Sequence, residues 1–417
     1  MFAAVSDQLS KENRDFTRSL AILGTFFFFA AAVGYVATIS WVEPIPRDGT
    51  TLVVGRDFLN YWMYGRVAGL PDPGRFYDLA TYNGELAALL GPGYPGQALP
   101  NPPSFMLLAW PFARLTYLPA LLCWTLFGVG SFGWIAARHI GDRRLLIALA
   151  FSPAAVLALI SGQSTFLTAA LLITIFEWLD RKPIGAGILI GLLTVKPQLG
   201  LLLPVMLIAS ARWRVLLVAV IATLAIVATT AALYGPQVWI DYVLMAMPNQ
   251  NLVLTDPAML SAPFMPTIFI NARVAGASYG LAMAVQVAFA ALAAGAVFWA
   301  FRWRKAADPH LLAALFLACS VFTPPYFAIY DLLALTFAAL MLLGAGKLDE
   351  PGRRVAQLVY WLPLIQIGLG TLHVPGPGLI APAFALYALA RLRGAQAAPQ
   401  QAVPLLSPAP NLDHQPG

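Results

Sequence analysis

Apolar runs dominate the chain, and the polar breaks between them carry most of the information. Residues 1–18 form a polar tail with Lys11, Arg14 and Arg18. The first apolar run, Leu20 to Val42, is long for a signal-peptide core and lacks a clear small-residue cleavage site, which predicts an uncleaved anchor. Residues 43–103 follow as a long polar loop rich in Gly, Pro and Tyr. Next comes SFMLLAWPFARL, Ser104 to Leu115. It is too short to cross a bilayer, which takes about 20 residues. Its Trp110, Pro111 and Arg114 predict a helix lying in the interface, entered through the rigid Pro102-Pro103 pair. Apolar runs then recur at 117–137, 144–160, 164–179, 184–195, 197–210, 214–234, 279–301, 310–323, 327–345, 355–371 and 377–392. With the first run, the pattern predicts an all-α integral membrane protein of about 12 transmembrane helices and a long first outer loop.

Composition agrees with that pattern. Of 417 residues, 59% are hydrophobic and 11% charged, against about 25% charged in ordinary soluble domains. The net charge of +6 does not indicate nucleic acid, because the basic residues sit in short clusters between apolar runs, as positive-inside topology requires. Cys123 and Cys319 both fall in apolar runs and read as small core hydrophobes, with no disulfide framework.

The clusters also fix the threading. Those at Arg138/Arg143/Arg144, Arg181/Lys182, Arg212/Arg214, Arg302/Arg304/Lys305, Lys347/Arg353/Arg354 and Arg391/Arg393 are expected on the cytoplasmic side with the N-terminal tail. An even number of crossings must separate neighbouring clusters. The breaks at Gly162-Gln163, Lys196-Pro197-Gln198, Pro324-Pro325-Tyr326 and His373-Val374-Pro375-Gly376 then face outward, as do loops 43–103 and 235–278. In this arrangement 18 of the 25 Lys and Arg lie inside. The arms of the 184–210 hairpin are short for full spans and also suit half-helices around a polar cavity. The expected organisation is a tail (1–18), a polytopic domain (19–393) with an outer loop at 43–116, and a disordered C-terminal tail (394–417). Both termini are expected in the cytoplasm, and the membrane is expected to be the plasma (inner) membrane.

Candidate chemistry gathers on the outward side. Within GRDFLNYWMYGRVAGLPDPGRFYD, Tyr61 and Tyr64 follow Asp57 at spacings of four and seven, so a helix puts all three on one face. A carboxylate beside aromatic rings suits a sugar, whose C–H face the rings can stack on while the carboxylate takes a hydroxyl proton. A helix N-cap is the other reading of Asp57. Lys196, between apolar arms, is costly unless paired or wet. It is read either as a phosphate ligand or as the ion partner of Asp331. Gln163 is read as a ligand or as a turn cap. Trp62, Arg66, Gln198, Tyr326, Tyr330 and His373 complete the candidate substrate-binding set. The chain has no GxGxxG, no GxxxxGK[ST], no HExxH, no Asp-x-Asp and no metal-spaced Cys/His set. No metal or cofactor is therefore expected.

These stretches carry a resemblance. DFLNYWMYGRVAG with the following FYD, NPPSFMLLAWPFARLTYLPALLCW, SGQSTFLTAALL, DRKPIGAGILIGLLTVKPQLGLLLP and TPPYFAIYDLLAL together resemble glycosyltransferase family 87. These are polyprenol-phosphate-mannose-dependent mannosyltransferases among the C-type membrane glycosyltransferases. The resemblance spans about residues 55–340. It implies a multi-span fold, a lipid-phosphate sugar donor and a catalytic aspartate in the first outer loop, which Asp57 matches. Asn101 stands where members often carry Tyr before Pro-Pro, and Tyr326 where some carry His.

The expected activity is inverting transfer of a hexose, mannose on the resemblance, from a polyprenyl-phosphate donor to a lipid or glycan acceptor. Asp57 would act as general base and Lys196 would sit near the donor phosphate. The expected partners are that donor, that acceptor and membrane lipids. Two rivals remain at this point: a secondary transporter coupled through Lys196 and Asp331, and a non-catalytic lipid-binding scaffold.

Overall fold

A computed structural model describes residues 2–42, 45–255, 264–304 and 307–394, without the side chains of 2–12, Asn251 and Val253. The expected C-terminal tail from residue 395, Lys305 of one basic cluster, and residues 43–44 and 256–263 of the two outer loops lie outside the described residues.

Helices account for the apolar runs. Among the described residues there is no strand, only isolated bridges joining Ser40 to Arg47 and Arg47 to Val53. The backbone is helical from Phe2 to Ala37, so the boundary expected after residue 18 falls inside a helix. Among the described residues four helical stretches are long and apolar enough to cross a membrane: Asn13–Ala37, Tyr117–His139, Trp213–Tyr234 and Tyr279–Trp303. A fifth is the pair Arg143–Ala150 and Pro153–Ile160, bent by 43°. Ser152 causes the bend's restart, since its hydroxyl accepts from the Ala155 amide just ahead of Pro153 at the first helical position.

Shorter apolar helices fill the interior. They are Pro183–Val195, Pro197–Ala209, Pro309–Phe322 and Ile329–Gly344. Each of the first two has 13 residues, about 20 Å of helix against a hydrocarbon core of about 30 Å. The 184–210 hairpin therefore has arms shorter than a full span, one of the two arrangements expected for it. Its tip is Lys196, flanked by 3-10 turns at Leu193–Val195 and Pro197–Gly200.

Two main cores result. The larger one lies among the long and short apolar helices, with Leu312, Phe316, Phe337, Leu342 and Tyr360 at its centre. The second belongs to the polar loop and holds Phe58, Tyr64, Phe105, Trp124 and Val195. The Ser104–Leu115 stretch helps to build it. It folds as two short pieces, Ser104–Ala109 and Phe112–Arg114, rather than one interfacial helix. Phe105 and Met106 are buried while Trp110 is exposed. Cys319 is buried as expected, but Cys123 points outward from Tyr117–His139. A membrane explains that difference, because lipid accepts a small apolar side chain as readily as the core does.

Two of the basic clusters make ion pairs near the C-terminal end of Thr165–Arg181: Arg138 pairs with Glu177 at 2.6 Å and Arg212 with Asp180 at 3.0 Å.

A tight turn ties the two cores together. Gly162 has φ +60°, and a Cβ there would lie 2.6 Å from Phe58 Cβ and 2.7 Å from the Gly55 carbonyl oxygen. The Asp57 amide donates to the Ser161 carbonyl at 3.1 Å, and Trp124 Nε1 donates to the Gly162 carbonyl at 3.1 Å. Left-handed backbone costs a non-glycine residue about 1–2 kcal/mol, and the close contacts add to that. Gly162→Ala should therefore lower the thermal unfolding midpoint in detergent by several degrees. Gly93→Ala, whose Cβ meets nothing within 4 Å, should leave it unchanged. Equal midpoints for Gly162→Ala and wild type would contradict the packing described.

Candidate functional site

Asp57 is delivered by a loop that is fixed from both sides. Arg56 adopts a left-handed conformation, φ 37°, and its Nε donates to Asp48 Oδ2 at 2.7 Å. Burial works to raise the Asp48 carboxyl, but hydrogen bonds from Thr50 and Arg56 hold it below its ordinary value. Asp48 thus stays an anion and anchors Arg56. On the other side Tyr117 donates to the Val54 carbonyl at 2.8 Å.

The Asp57 side chain does not cap the helix Phe58–Val67 that follows it. Its Oδ2 accepts instead from Gln163 Nε2 at 2.6 Å. Among the described residues Oδ1 takes no hydrogen bond from protein. Burial pushes the Asp57 carboxyl above its ordinary value, against the Gln163 hydrogen bond and the charges of Lys196 and Arg56.

Gln163 links two charged groups. Its Oε1 accepts from the Tyr61 hydroxyl and, at 3.0 Å, from Lys196 Nζ. The orientation of the amide is set by chemistry, since a flipped amide would aim N–H at an ammonium and oxygen at a carboxylate. Lys196 Nζ also donates to Asp331 Oδ1 at 2.8 Å, and Thr165 Oγ1 donates to the same oxygen at 2.8 Å. The Tyr330 ring lies under the ammonium, 5.4 Å from Nζ to centroid. An ammonium has three N–H donors, and protein acceptors take two of them. The result is one continuous relay from Asp57 through Gln163 and Lys196 to Asp331.

The relay joins four separate parts of the chain. Asp57 opens the loop helix and Gln163 sits in the break before Thr165–Arg181. Lys196 is the hairpin tip, and Asp331 lies in the 3-10 turn Ile329–Leu332 ahead of Leu333–Gly344. Asn101 sets the height of the hairpin, since its Nδ2 donates to the Val195 carbonyl at 2.9 Å. Its own backbone is clamped by Tyr64, whose hydroxyl donates to the Asn101 carbonyl at 2.7 Å and accepts from the Asn101 amide at 2.6 Å.

The candidate residues do not all converge. Asp57, Tyr61, Gln163, Lys196 and Asp331 form the relay, Tyr330 flanks it, and Tyr326 lies close enough to feel the charges of Asp57, Asp331 and Lys196. The Tyr61 ring is not an open platform for a sugar: Phe105 stacks on it at 4.5 Å and Trp124 lies at 5.4 Å. Only its hydroxyl reaches the polar centre. Tyr64 is likewise fully buried and serves Asn101. Trp62 is buried, with Nε1 donating to the Leu115 carbonyl at 3.1 Å, and the exposed Arg66 stacks on it at 4.7 Å. Gln198 is half-buried beyond the tip and is not part of the relay. His373 is exposed in the turn after Glu350–Thr371, with φ 56°, and is not part of it either. Sequence reasoning missed Thr165 and Asn101. Thr165 had a signal, since it opens a helix one residue past Ser164 in a polar break.

Removing one member of a buried ion pair leaves an uncompensated charge, at a cost of about 3–5 kcal/mol. Asp331→Asn should therefore strongly lower the thermal midpoint, and adding Lys196→Met to it should recover part of the loss. If the double variant is no more stable than Asp331→Asn alone, the two groups do not act as a pair.

Comparison with known proteins identifies a family. The model of glycosyltransferase family 87 matches residues 100–325, a range that holds Gln163, Thr165 and Lys196. Neither curated proteins nor solved structures gave a match. With more than half of its length matched, the chain belongs to glycosyltransferase family 87.

Proposed function

We propose that this membrane glycosyltransferase transfers a hexose, mannose in our reading, from a polyprenyl-phosphate donor to a hydroxyl of a lipid or glycan acceptor, with inversion and with Asp57 as general base. The observation that carries the proposal is the state of the Asp57 carboxylate. One oxygen is held by Gln163 and the other takes no hydrogen bond from the described protein. A structural aspartate at a helix start would have capped the helix, and this one does not.

In the reaction, the acceptor oxygen forms a bond to the anomeric carbon while the bond from that carbon to the phosphate oxygen breaks. Asp57 Oδ1 takes the acceptor's proton. The leaving polyprenyl phosphate departs as an anion and needs no acid. Its charge is met by the N–H of Lys196 that the described residues leave uncommitted. One displacement gives inversion, and because the leaving phosphate needs no acid, one carboxylate suffices where glycoside hydrolases use two. Burial serves the base as well, because a carboxyl raised above its ordinary value is a stronger proton acceptor once ionised. In this reading the relay faces the exterior or periplasm, and a lipid donor approaches it from within the plasma membrane.

Asp57→Asn keeps the shape and the ability to accept from Gln163 but cannot take a proton. Turnover should fall by about 10²–10⁴-fold, with expression and thermal stability near wild type. The assay is hexose transfer to a native lipid extract by purified protein, with a panel of polyprenyl-phosphate sugars. An Asp57→Asn protein that transfers at near wild-type rate would remove Asp57 from the chemistry.

A further inference from the structure

The helix Leu333–Gly344 starts beside Asp331 and runs away from the relay. Just past its far end, at Gly346 and Lys347, an open cavity of about 580 Å³ is lined also by Asp308, Leu311, Arg391 and Gly394. That volume falls within the roughly 300–1,000 Å³ typical of ligand sites. Two of the cations on its wall are already matched. Lys347 Nζ pairs with Asp308 Oδ2, and Arg391 Nη1 lies 3.2 Å from Asp349 Oδ2.

Beside the cavity the balance changes. Arg304 and Arg393 both lie over the ring of Trp299, at 5.4 and 5.5 Å from its centroid. Neither has an acidic partner among the described residues. Two guanidinium groups held on one indole repel each other, and an anion shared between them would remove that repulsion. Arg393 is exposed and Arg304 half-exposed, so both can be reached.

The surrounding surface says what the anion is attached to. Phe298, Trp303 and Leu386 are exposed on the same two helices, Tyr279–Trp303 and Ile380–Gly394, with Trp303 at 61%. The first of these is a membrane-capable helix, and an exposed Trp at its end marks the interface between lipid and water.

We propose that this corner binds an anionic phospholipid. Its phosphate bridges Arg304 and Arg393, its headgroup enters the cavity, and its acyl chains lie along the apolar faces of the two helices. Guanidinium forks match phosphate oxygens in pairs. The site is independent of the chemistry at Asp57, because it sits at the opposite end of the Leu333–Gly344 helix.

The test uses the full chain, purified and stripped of lipid in detergent. Native mass spectrometry would follow the binding of phosphatidylglycerol and of phosphatidylcholine with the same acyl chains. Phosphatidylglycerol should bind at least about tenfold more tightly. Arg304→Gln with Arg393→Gln should weaken it by roughly 30-fold, as expected for two surface cations, and weaken phosphatidylcholine, whose choline already neutralises its phosphate, much less. Both arginines are accessible and unpaired with acids, so the variant should fold. Equal binding of the two lipids would overturn the proposal, and so would a double variant that keeps its preference. Displacement of phosphatidylglycerol by inorganic phosphate at similar concentration would show a site for a free anion and end the lipid assignment.

Discussion

A lysine ammonium buried where two apolar arms meet is the constraint that the rest of the site answers. Removing such a charge from water costs several kcal/mol even after relaxation. Lys196 meets that cost through Asp331 and through the amide oxygen of Gln163. Each partner then needs its own support. Thr165 donates to the same oxygen of Asp331 that Lys196 uses, and the amide of Gln163 is turned so that its N–H group faces Asp57. Compensating one cation thus fixes the orientation of an amide more than a hundred residues away from the carboxylate it holds.

The same constraint explains why a soluble-looking loop belongs to a membrane fold. Tyr64, Asn101 and Val195 connect the Phe58–Val67 helix to the hairpin tip through main-chain and side-chain hydrogen bonds. The segment after Tyr234 closes over the loop, with Tyr242 against Tyr77 at 5.5 Å and Gln250 donating to the Pro100 carbonyl at 2.5 Å. Asp57 therefore rests on a packed second core instead of a free loop. That arrangement favours the group-transfer reading over a transporter, in which a loop carboxylate would have no reason to be wired to the buried Lys196–Asp331 pair.

Much of this was legible in the sequence, for a physical reason. In a chain so apolar, a charged side chain between apolar arms is costly, and Lys196 stood out on that ground with Asp331 as its candidate partner. Asp57 stood out as a carboxylate beside the aromatic residues of the loop, and Gln163 as a polar break between runs. Periodicity found the apolar helices, and the short hairpin arms were visible as two short runs. Three things were not legible. Spacing placed Tyr61 and Tyr64 on one face, but it could not show that Phe105 would fill the face of Tyr61 or that Asn101 would claim the hydroxyl of Tyr64. Hydropathy could not tell lipid-facing from core-facing positions, so Cys123 was misplaced. Thr165 and Asn101 act through contacts with residues 166 and 94 positions away, and no local pattern reports such contacts.

The central claim is that Asp57, held by Gln163, takes the acceptor's proton. The acid limb of the kcat/KM profile tests it most directly, in wild type and in Gln163→Leu. The base works only when ionised, and burial raises its carboxyl. The wild-type limb should therefore lie above the ordinary carboxylate value of about 3.9, with activity lost as the pH falls through it. The Gln163 amide stabilises the ionised form, so removing it should move the limb to still higher pH. A limb that stays in place in Gln163→Leu, or moves to lower pH, would contradict the account.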